Sequence, residues 1–176
     1  MASYQAVAAV GRAIVALLED ATRPEEFADS EFILFKTEDF EQPLETGLSV
    51  YLYRIEIDRH TPAALVMGPG GRRIAPPLSL VLHYLLTPWS VDAASEHMLL
   101  AWGMRVLDDS PVISSTQLNG VSAGTFADTD EVLLLLRDTP LGEMTDLWRA
   151  LGSNYRIGAS YVAQTIVLDA PISADR

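Results

Sequence analysis

The hydrophobic pattern is densest between Pro76 and Trp89, Pro-Pro-Leu-Ser-Leu-Val-Leu-His-Tyr-Leu-Leu-Thr-Pro-Trp. Leu78, Leu80, Leu82 and Tyr84 alternate onto one side, while Val81, Leu85 and Trp89 put apolar bulk on the other. A run that is apolar on both sides and bounded by prolines predicts a strand in the middle of a sheet. Ser79 and His83 are the strongly polar side chains inside it. His83 is therefore expected buried, neutral and hydrogen-bonded.

Around this strand the periodicity alternates between helix and strand. Val7, Val10, Ile14, Leu17 and Leu18 fall at helical spacing from Tyr4 to about Ala21. Phe32–Phe35 reads as a short strand, and Leu48–Ile57 as a long one with Leu48, Val50 and Leu52 on one face. Tyr51, Tyr53, Ile55 and Ile57 are expected on its other face. Ser90 or Asp92 caps a helix reaching about Leu107, with a buried stripe of Ala93, His97, Leu100, Ala101, Met104 and Leu107. Residues 112–130 read as a polar connection. Glu131–Arg137 is a strand, Thr139-Pro140 opens a helix that Gly152 ends, and Tyr155–Leu168 alternates as a final long strand. Two strands as long as 48–57 and 155–168 are not both expected inside a small sheet, so one should present an edge. The fold expected is α+β: one domain over residues 1–176, with a mixed or antiparallel sheet of about five strands flanked by helices. Residues from about 170 to 176 are expected to be a flexible tail.

Composition narrows the function classes. The chain has 176 residues, enough for one well-buried core, and 49% of them are apolar. A net charge of −12 argues against nucleic acid or an anionic membrane as principal partner. The absence of cysteine excludes thiolate metal sites, cysteine nucleophiles and disulfides. Gln5, Gly11 and Arg12 interrupt any apolar leader, so the expectation is a soluble protein assembled in the cytoplasm.

Catalytic patterns fail in turn. Asp58-x-His60 has no second ligand pair at metal spacing, and Glu96-His97 lacks the second histidine of a zinc helix. Gly68-Pro-Gly-Gly71 followed by Arg72 and Arg73 has the glycines of a phosphate cradle, but proline removes a donor and no Gly-Lys-Ser/Thr follows. An enzyme would need a polar pocket around His60 and His83. What survives is interaction: the 58–75 connection is far longer than a hairpin loop and carries two arginines in an acidic chain.

These residues resemble the N-terminal domain of tail-terminator, or cap, proteins of extracellular contractile injection systems, the phage-tail-like particles of the antifeeding-prophage and virulence-cassette kind. The matching pieces are the N-terminal helix, Leu48-Ser-Val-Tyr-Leu-Tyr-Arg54, and above all Pro76-Pro77 through Leu80, His83, Tyr84 and Thr87-Pro88. Met104-Arg-Val-Leu107, Ser110-Pro-Val112, Leu147-Trp-x-Ala-Leu151 and Tyr155-Arg-Ile with Tyr161 follow in the family's order. Val81 stands where the family pattern often has an acidic residue, and longer relatives continue beyond the position of Arg176. The resemblance implies a non-enzymatic ring protein, six-fold by family analogy. It would need no cofactor, and it would end polymerisation of an inner tube and contractile sheath. Its partners would be further copies of itself and tube and sheath subunits, and it would reside in the cytoplasm of the producing bacterium as part of the assembled particle, which can be released from the cell. A transient assembly factor for the same subunits is the alternative. Arg54, Gly70, Gly71, Arg72, Arg73 and Trp89 are the expected interface residues, with at least ~800 Å² buried per partner at each ring contact.

Overall fold

In the computed structural model, residues 2–58, 66–67, 73–74 and 77–168 are described. Among the described residues eight strands are present: β1 Glu31–Phe35, β2 Gly47–Ile57, β3 Val66–Met67, β4 Arg73–Ile74, β5 Leu78–Trp89, β6 Val112–Ser114, β7 Glu131–Arg137 and β8 Ala159–Leu168. Four α-helices accompany them: α1 Ala6–Asp20, α2 Ala93–Asp108, α3 Ser115–Val121 and α4 Leu141–Ala150. Six strands form one sheet in the order β1-β2-β5-β8-β7-β6, and β3 and β4 pair separately. The β1–β2 pair is parallel and the others in the main sheet are antiparallel.

β5 lies inside the sheet, as its two apolar faces require. Pro88 is not a boundary but a strand residue, opposite Leu48. The pairing of β5 with β8 has ended by then, at Leu86 opposite Ala159, so the missing proline N–H interrupts no ladder on that side. Both long strands lie inside the strand order, but β1 pairs only with Gly47–Tyr51, so among the described residues the second half of β2 presents the expected edge. The outermost strands are the short β1 and β6, and β6 brings the main sheet to six strands.

One face of the sheet is covered by α1, α2 and α3 and holds the larger core, including Leu48, Val50, Leu82, Tyr84, Leu86 and Ile14. Helix α2 meets this face through Leu99, Leu100, Gly103 and Leu107. The expected stripe is therefore rotated, and Ala93, His97 and Ala101 are exposed. Gly103 is the reason: a Cβ there would lie 2.5 Å from Leu48 Cδ1, so the helix crosses the sheet at its bare position. The other face carries a smaller core of Phe35, Phe40, Leu85, Trp89, Met144 and Trp148, covered by α4 and the 3-10 turn Thr37–Glu41.

Two stretches differ from expectation. Residues 112–130 contain β6 and α3, with Ser114 capping α3 through Gln117. The Asn119 side chain then ties the following loop, accepting from Thr125 and Phe126 amides and donating to the Phe126 carbonyl. Residues 155–158 precede β8 and are not strand, with Tyr155 and Ile157 exposed.

Candidate interface

A β-bulge in β2 decides what the second face presents. Pairing with β5 passes from Leu52 opposite Tyr84 to Arg54 opposite His83, leaving Tyr53 as the extra residue. The expected alternation is thereby inverted beyond it. Arg54 and Glu56 share the face of His83, while Ile55 and Ile57 fall opposite Leu82 and Leu80 on the helix-covered face. Both isoleucines lie where no described helix covers them, at 51% and 61% exposure.

His83 is buried, at 3% exposure, in the middle of the second face. Its Nε2 lies 2.8 Å from Glu56 Oε2, and Arg137 NH1 lies 3.4 Å from Nδ1. A guanidinium only donates, so Nδ1 accepts and the ring proton sits on Nε2, which donates to Glu56. That is a neutral imidazole with both nitrogens used. Arg137 also donates to Glu143 on α4 at 3.2 Å, and Arg54 pairs with Glu56. The row Arg54, Glu56, His83, Arg137, Glu143 thus alternates in charge about a neutral ring and ties β2, β5 and β7 to α4. The hydrogen bond from His83 holds the Glu56 carboxyl below its ordinary range; burial opposes this and Arg54 assists.

Beyond α4 the face is open. A groove of about 1000 Å³ is lined by residues that include Glu56, Val81, His83, Arg137, Val162 and Gln164. No group of three or more His, Asp or Glu side chains among the described residues is arranged to hold a metal ion. No helix among the described residues is long and apolar enough to cross a membrane.

Trp89, expected at an interface, is a core residue at 3% exposure. Its Nε1 donates to Ser49 Oγ at 2.8 Å, and the Arg156 guanidinium lies 4.5 Å over its ring. Arg73 is placed as a backbone position in β4, opposite Met67. His60, Gly70, Gly71, Arg72 and Pro76 lie outside the described residues. In the proline-flanked motif, Leu80, Tyr84, Thr87 and Pro88 are buried and Pro77 is half-buried. The Tyr84 hydroxyl donates to the Val7 carbonyl at 3.4 Å, which fixes α1 to β5. Sequence reading passed over Glu56, Arg137 and Glu143. Arg137, the polar residue that closes the apolar strand Glu131–Arg137, carried a readable signal, whereas the bulge that turns Arg54 and Glu56 onto the face of His83 carried none.

The family model for the Pvc16 N-terminal domain matches residues 9–176. A solved structure titled as the sheath/tube terminator of the extracellular contractile injection system PVC, in the extended state, superposes with a TM-score of 0.62 at 15% identity. It covers 97% of this chain and 61% of its own. The anti-feeding prophage cap, titled a tube terminating cap, gives 0.60 at 16% identity over 95% of this chain and 59% of its own. This chain therefore spans about three fifths of the length of either structure. A search of curated protein sequences found no match.

Proposed function

The chain belongs to the Pvc16 N-terminal domain family, and from that premise we propose that it is a structural cap on the end of a contractile injection particle. In this reading it assembles in the producing cell as a six-membered ring on the distal end of the inner tube and sheath, and stops both from growing. It catalyses no reaction and travels with the finished particle. The observation that carries the reading is the likeness of fold to two tube-terminating proteins over nearly the whole chain. The polar row supports it: each member pairs with another member, and His83 keeps no nitrogen for substrate.

We assign the contact with neighbouring subunits, or with the tube and sheath beneath, to the stretch between Asp58 and Pro77, through Arg72 and Arg73. In an acidic chain these are suited to carboxylates or backbone carbonyls of a partner. The test is the double substitution Arg72→Glu with Arg73→Glu in the producing cell, scored by particle length and end occupancy in electron micrographs. Overlong or uncapped particles, from a variant that still folds, are expected. Uniform length with normal caps would leave the arginines without this role. If the unaltered protein is absent from purified particle ends, the cap reading itself fails and a transient assembly factor replaces it.

A further inference from the structure

The outer edge of the sheet is stepped. β2 has eleven residues, but β1 pairs only with Gly47–Tyr51. Beside Leu52–Ile57 there is consequently no strand on that side among the described residues. At ~3.3 Å per residue the gap is ~20 Å long, and a five-residue strand needs ~17 Å. We propose that this gap receives β1 of a second copy of the chain, related by a two-fold axis perpendicular to the sheet.

The step is self-complementary under that operation and under no simple translation. Turning a copy through half a revolution about the sheet normal brings its β1 into the gap beside Leu52–Ile57. It also brings the first copy's β1 into the second copy's gap. The two β1 strands then lie end to end between the two β2 strands, and each is paired on both sides. Each new pair is antiparallel, since β1 runs parallel to its own β2. The contact is isologous, as a two-fold requires. Among the described residues, it gives both edges the strand neighbour that β1 and β2 leave open, which is the usual reason for edges to associate.

Side chains select the register. Leu34 and Phe32 lie on the helix-covered face, opposite Val50 and Leu48. Ile55 and Ile57 lie on that same face. Placing Leu34 beside the other copy's Ile55 joins exposed apolar residues of the two edges, and the same register sets the buried Phe32 opposite the exposed Ile57. The charges agree near the two-fold. Arg54, whose side chain is 52% exposed, approaches the stretch after the other copy's Phe35, where Glu38, Asp39, Glu41 and Glu45 outnumber Lys36. This dimer does not depend on the cap reading: it closes the edge of a copy that is not on a particle, whichever surfaces a ring uses.

The chain has no cysteine, so introduced cysteines report one contact each. Leu34→Cys and Ile55→Cys alter exposed edge positions, and each single variant is first checked by urea denaturation for native stability. Concentrated protein is then oxidised and run without reductant. A disulfide-linked dimer in the mixture of the two variants, absent from either alone, is expected, and the double variant should stop at the dimer. Ile55→Asp in the otherwise unaltered protein, tested by sedimentation, should abolish the association. A ladder of higher multimers from the double variant would mean a head-to-tail contact and would overturn the two-fold. No disulfide at any concentration at which the protein stays folded would overturn the contact altogether. Capped particle ends alongside either result would leave the cap reading standing.

Discussion

The two faces of the sheet are built on different principles, although one strand supplies both. On the helix-covered face, Leu82 is fully buried among α1, α2 and the sheet, and its neighbours there are apolar. One residue later His83 points the other way, equally buried but held by Glu56 and Arg137. The first face is stabilised by area and shape, the second in its open half by specific polar pairs. Apolar packing tolerates no loss of volume, whereas a charged row with both ends near solvent can rehydrate. The contrast predicts that adjacent substitutions in β5 have very different consequences.

The largest effect is expected from Leu82→Ala. It removes a side chain at 0% exposure, set between Ile55 and Ala163 of the neighbouring strands. The loss should be about 2–5 kcal/mol, read as a fall in the urea midpoint with unchanged slope. A loss below that range would mean the helix-covered face can collapse onto the cavity, and the distinction between the faces would weaken.

Gly103→Ala probes the same face from the helix side. The added Cβ meets a leucine methyl rather than backbone, so Leu48 or α2 must shift. The expected destabilisation is about 1–3 kcal/mol, in spite of alanine's better helix propensity. Gly142→Ala, in α4 with open space around it, is the control and should not destabilise the fold. Equal effects at the two glycines would show that close approach at Gly103 is not what sets the position of α2.

His83→Leu is the second-face counterpart of Leu82→Ala. It fills the volume but deprives Glu56 and Arg137 of their common partner. Glu56 keeps Arg54 and Arg137 keeps Glu143, and all four reach water. The expected cost is about 1 kcal/mol by denaturation, with assembly onto particles retained. Stoichiometric metal in the native protein that is lost in this variant would instead make His83 a ligand.

The sequence reading succeeded where a pattern extends over ten or more residues on a well-populated face. The helices at 6–20 and 93–108, and the strands at 47–57 and 78–89, are in this class. It failed where structure is decided by contacts too sparse to make a period. β6 and α3 bury only Ile113 and Leu118 between them, so the stretch looked polar. The Ser114-x-x-Gln117 pair was its one readable signal. Tyr155 and Ile157 alternate like a strand, but Arg156 is drawn to Trp89 and Glu96 before β8 begins. The bulge at Tyr53 has no sequence mark at all. It depends on how β2 and β5 fit, and it alone decides that Arg54 and Glu56 join His83. Trp89 is a large aromatic of the kind that suits an interface, yet it serves equally well as the centre of a small core.

The smallest expected effect isolates the polar row by pH. Glu56 has its carboxyl lowered from the ordinary value of 4.5, chiefly by the hydrogen bond from His83. A depressed carboxylate contributes stability above its unfolded value, and the contribution is lost as pH falls through the lower folded value. Asp92, lowered by its capping bonds to Ser95, follows the same sign and forms part of the background. Comparing Glu56→Gln with the unaltered protein cancels that background. The stability difference between them should be constant from about pH 7 to pH 5 and shrink below the ordinary carboxylate range. Glu56 is partly exposed, so the difference should also be reduced by salt. Chemical denaturation at a series of pH values measures it. A difference that stays flat to the acid limit of folding would mean that the bond from His83 does not lower Glu56. The second face would then owe its order chiefly to the small core of Phe35, Phe40, Leu85, Trp89, Met144 and Trp148.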